Sequence, residues 1–123
     1  MNKLIYLILF YASLSVGGER MNVVIDQVLD KDNYAKEEWQ ARGLNPSPQA
    51  KIQVLEAVTK SFLTELKSVH SRYDNDKVQL SAAVNRLVDE LPWSELDTEE
   101  KEFLADVLAP AIRSVGLNPW LIF

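Results

Sequence analysis

The chain has 123 residues, 47% of them hydrophobic and 25% charged, with no cysteine. That is the size and balance of one globular domain; two sizeable cores, a disulfide framework, a disordered tail and a polytopic membrane protein are all excluded. Thirteen basic against eighteen acidic residues give a net charge of -5 and a pI near 4.8, with a mean hydropathy of -0.11, which argues against a nucleic acid partner because phosphate binding needs clustered Lys and Arg.

Residues 1–18 stand apart from the rest. Lys3 precedes the apolar run Leu4–Val16, and Ser13, Ser15, Gly17 and Gly18 supply small residues after it, in the order of a secretory signal. The run is shorter than the roughly twenty residues of a spanning helix, so no stable membrane span is expected in the mature form. A competing reading starts from Gly17-Gly18-Glu19-Arg20 directly before Met21. Gly and Glu codons are purine-rich, as a bacterial ribosome-binding site would be, so Met21 is the alternative start. The first reading places the protein in the periplasm or outside the cell, the second in the cytoplasm. Residues 1–18 contribute only Lys3 to the charge, so the acidity belongs to the single helical domain expected over 19–123.

Asn22 to Leu29 offers Ile25, Val28 and Leu29 on one helical face, although its β-branched residues would also suit a strand. A short helix is expected. A second short segment, Tyr34 to Arg42, points Tyr34, Ala35, Trp39 and Ala41 inward and stops at Gly43. Ser47 is expected to cap the next helix, with Pro48 at its first position, where a missing N–H costs nothing. That helix should run from Pro48 to His70 or Arg72, since Ile52, Leu55, Thr59, Phe62, Leu66, Val69 and Tyr73 alternate at three and four residues. Tyr73-Asp74-Asn75-Asp76 forms a turn, and Leu80, Val84, Leu87 and Leu91 mark another helix, ended by Pro92.

Asp97-Thr98-Glu99-Glu100 reads as a capping box opening a helix whose apolar set runs from Phe103 to Val115. Pro110 lies inside it, so a kink or break is expected between Asp106 and Pro110. The sum is an all-α fold, a small compact domain of three principal helices plus one or two short N-terminal ones. Its expected core is Leu55, Phe62, Leu66, Leu87, Phe103, Leu104, Val107 and Leu108.

Gly-Leu-Asn-Pro occurs at Gly43–Pro46 and again at Gly116–Pro119. Helix capping explains both copies: Gly ends the helix, Leu packs back on it, and Asn before Pro sets an extended exit. His70 is the one histidine, and a zinc site normally needs several N or S ligands. Asp30-Lys31-Asp32-Asn33 and Asp74–Asp76 lack the glycine and bidentate Glu of a calcium loop. No metal or cofactor is therefore expected. The chain also lacks Gly-x-Ser-x-Gly, Ser-x-x-Lys and a phosphate-cradling glycine loop, so no catalytic residue is assigned.

Two groups of residues remain as interaction candidates. Glu90, Glu95, Asp97, Glu99, Glu100 and Glu102 form an acidic block suited to steering a basic protein partner. Trp39, Trp93, Trp120 and Phe123 lie in or beside breaks, where they either seal the ends of the bundle or form a docking surface. The run Trp120-Leu121-Ile122-Phe123 is too apolar to stand free in water and should dock on the domain or on something else. These features suggest a non-enzymatic protein-binding or inhibitory factor of a bacterial kind, with a carrier of a small apolar ligand as the alternative.

Overall fold

The computed structural model describes residues 20–123. The segment 1–18, read as an export signal or as an upstream stretch before Met21, lies outside the described residues. Among the described residues there is no strand, and the all-α domain expected from the periodicities is present. Its helices are α1 over 20–30, α2 Lys36–Ala41, α3 Gln49–Tyr73, α4 Lys77–Asp89 and α5 Thr98–Ser114, with single 3-10 turns at Trp93–Glu95 and Pro119–Leu121. Three long helices and two short N-terminal ones match the expected count. No helix among them is long and apolar enough to cross a membrane.

The long helices run up, down and up. Only Asp74, Asn75 and Asp76 separate α3 from α4, which makes the two antiparallel neighbours. Asp76 caps α4 by accepting from the Gln79 amide at 3.1 Å. The start of α5 is tied to the start of α3, because the Lys51 ammonium donates to the Glu95 carbonyl and Ser47 Oγ donates to Glu100 Oε2 at 2.6 Å. Helical geometry then separates two flanks of α3. Val58, Ser61, Phe62 and Glu65 face the end of α4, whereas Glu56, Thr59, Lys60 and Lys67 face α1 and the loop after it. Leu55 and Leu66 lie between the flanks; they and Leu63 are fully buried, as are Leu104, Leu108 and Ile112 of α5.

The α1–α2 layer closes over α3 and α5 through aromatic contacts. The Trp39 ring meets Phe103 edge-on at 4.7 Å and Tyr34 lies 5.0 Å from Phe103. Their polar ends are satisfied: Trp39 Nε1 donates to the Tyr34 carbonyl at 3.0 Å, and the Tyr34 hydroxyl shares a 2.6 Å hydrogen bond with Thr59 Oγ1. Burial pushes the Tyr34 phenol well above the usual tyrosine range, so it remains a neutral hydrogen-bonding group. Arg42 lies over the Phe103 ring at 4.6 Å and donates to Asp106 Oδ2 at 2.7 Å; its buried Nε has no hydrogen-bond partner among the described residues.

Several local expectations need correction. Pro48 is the residue before the helix, not its first residue, and Ser47 does not cap α3, because its hydroxyl is directed to Glu100 instead. Leu87 and Val107 are only partly buried; Val88 and Leu80 with Val84 form the inward stripe of α4. Ala41 is exposed and Ala35 half-buried, which leaves Tyr34 and Trp39 as the inward residues of their segment. Of the kink or break expected at Pro110, the break is absent, since α5 is one continuous helix through that residue. Pro110 is exposed there, at the rim of an open cleft that Val24 and Val28 of α1 also line.

The two Gly-Leu-Asn-Pro copies cap helices as expected. Gly43 and Gly116 have φ of 74° and 86°, the left-handed region that glycine enters without strain. Gly43 donates to the Gln40 carbonyl at 2.9 Å and Leu44 to the Trp39 carbonyl at 3.0 Å; Gly116 to Arg113 and Leu117 to Ile112 repeat this double closure.

Candidate functional site

The acidic block divides once the capping box is placed. Asp97 Oδ1 accepts from the Glu100 amide at 2.7 Å, and Glu100 Oε1 accepts from the Asp97 amide at 2.9 Å. Glu100 is 4% exposed, and its second oxygen holds Ser47. Both carboxylate oxygens therefore act inside the fold, and Glu100 is not part of a partner surface. The signal was present in the sequence: Glu100 stands three and four residues before Phe103 and Leu104, on the buried stripe of α5. Glu90, Glu95, Asp97, Glu99 and Glu102 are exposed. From Asp89 to Asp106 the single basic residue is Lys101, so this end of the chain carries a concentrated negative field.

The aromatic residues divide in the same way. Trp39 is 1% exposed and belongs to the core, which removes it from the docking candidates. Trp93 is half-buried on the turn after α4, where its Nε1 donates to the Val88 carbonyl at 2.8 Å. The Phe123 ring meets Trp93 nearly edge-on at 6.1 Å, and Trp120 lies 6.3 Å from Phe123. This chain of rings joins the end of α4 to the last turn. Asn118 Oδ1 accepts from the Trp120 amide at 3.0 Å and Pro119 is fully buried, which fixes the turn against the domain. Ile122 and Phe123 dock, while Trp120 is 55% and Leu121 83% exposed. The apolar terminal run is thus half anchor and half free surface.

Two clefts of about 490 and 380 Å³ open on solvent beside α1. The first is edged by Asp30, Asp32, Glu56 and Lys60, the second by Glu38, Arg42 and Asp106, and neither is lined by tryptophan. A smaller groove of about 180 Å³ lies between α3 and the end of α4. Among the described residues no three His, Cys, Asp or Glu side chains group as a metal site. His70 is half-buried in the last turn of α3.

The fold and the surface define an all-α domain with an exposed aromatic turn and an acidic end. Comparisons with protein-family models, curated proteins and solved structures found no match.

Proposed function

We propose that this protein is a non-enzymatic binding factor, inhibitory in kind, whose partner is a protein presenting basic residues around an apolar depression. One observation carries the reading: Trp120 and Leu121 stand exposed side by side on a turn held by the Asn118 cap, the buried Pro119 and the Phe123 ring. A large aromatic fixed in position loses little freedom on binding, which is why tryptophan recurs among the residues that dominate interfaces. The neighbouring Trp93 is bracketed in the chain by Glu90 and Glu95, so the apolar surface comes with carboxylates that would steer and orient a cationic partner.

A photo-crosslinking amino acid placed at Leu121 tests this in cells producing the full chain, with the same residue at Val78, 81% exposed on α4, as the control. Position 121 is expected to give a discrete adduct with a second protein that is absent from position 78. Glu90→Lys with Glu95→Lys should reduce it. Identical adducts from both positions, or none from 121, would overturn the proposal.

A further inference from the structure

The groove between α3 and the end of α4 has apolar walls, formed by Val58, Phe62, Leu87 and Leu91, and two charged residues, Glu65 and Glu90, one from each helix. No basic residue lines it. Both carboxylates are exposed, and neither is paired with a cation among the described residues. The ion pairs found among the described residues lie on other faces, Lys31 with Glu38, Lys67 with Asp26 and Arg42 with Asp106. At about 180 Å³ the groove is smaller than the roughly 300–1,000 Å³ of small-molecule sites, and its scale is that of one side chain.

We infer that this groove is a slot for a single Lys or Arg side chain of the protein partner, the aliphatic stem lying on Leu87 and Leu91 and the cationic head reaching Glu65 and Glu90. The chemistry of the walls matches that side chain along its length. Lys and Arg bury their methylenes on apolar surface while keeping the charge at a polar edge, and here the polar edge is doubly anionic. A neutral apolar side chain would gain nothing from the two carboxylates, whereas an acidic one would be repelled. The inference rests on the partner-binding reading above and deepens it: Glu90 ends the same helix that leads into Trp93, so the slot and the aromatic turn flank one segment of chain.

The test uses the isotopically labelled full chain titrated with N-acetyl-arginine amide, N-acetyl-lysine amide and the uncharged N-acetyl-norleucine amide. Saturable amide shifts are expected at Val58, Glu65, Leu87, Glu90 and Leu91 with at least one of the two cations. Glu65→Gln with Glu90→Gln should weaken that binding by about five- to tenfold, the effect of losing two exposed ion pairs. Norleucine amide shifting the same residues equally, no saturable shift with either cation, or unchanged affinity in the double variant would each overturn the slot. The crosslinking experiment separates this from the broader reading. An adduct at position 121 that is unaffected by Glu65→Gln with Glu90→Gln retains the partner and rejects the slot; cation binding in the groove without an adduct does the reverse.

Discussion

Phe103→Ala is expected to lower the stability of the domain by about 3–5 kcal/mol, the usual range for deleting a buried phenylalanine. The position supports the upper part of that range. Phe103 is 4% exposed and is the ring on which Tyr34, Trp39 and Arg42 all converge. Truncation removes two aromatic contacts, each worth about 0.5–1.5 kcal/mol beyond burial, and the cation–π support of Arg42. Arg42 would then rest on a void while its exposed partner Asp106 contributes little on its own. For a domain of this size the midpoint of thermal unfolding should fall by at least about 12 °C. Phe103→Leu, which keeps most of the volume, should lose much less. A fall of only a few degrees for the alanine variant would mean that the α1–α2 layer does not depend on this ring for its attachment.

The long helices were legible because their apolar residues recur at three and four positions, and because Asp97 with Glu100 carries both halves of a capping box. The same signals did not say which of two chemically alike residues turns inward. Glu99 and Glu100 differ by about 100° around α5, enough to place one in water and the other against Ser47. Ser47 looked like a cap because serine before proline usually is one, but the loop that ends at Pro48 directs its hydroxyl across to α5, a long-range contact that no local pattern encodes. Likewise Leu87 and Val88 both fit a helical stripe, and only the placement of α4 on one flank of α3 selects Val88. The groove is the least legible feature. Glu65 and Glu90 lie on different helices, and their approach follows from the antiparallel register of α3 and α4, not from spacing along the chain.

Pro110→Ala is expected to raise stability by about 2–3 kcal/mol, the opposite sign from most substitutions in this domain. Proline in a helix interior has no N–H to donate, so the Asp106 carbonyl lacks its ordinary partner one turn later, and the ring crowds that same carbonyl. Alanine restores the donor and relieves the crowding. It also gives the unfolded chain more freedom, which costs about 0.4–1 kcal/mol and is already included in the net preference. Little packing would be lost, because Pro110 is exposed while its neighbours Ala109, Ala111 and Ile112 carry the buried contacts. Pro110→Gly provides the internal control, since glycine restores the N–H but is about 1 kcal/mol poorer than alanine in a helix. Chemical denaturation of the three proteins should therefore rank alanine above glycine and glycine above the parent. If both variants unfold at the parent's denaturant midpoint or below it, then the helix geometry around Pro110 is required to seat Ala111 and Ile112. The kink expected at this position would in that case be a curvature that the core depends on, within an uninterrupted helix.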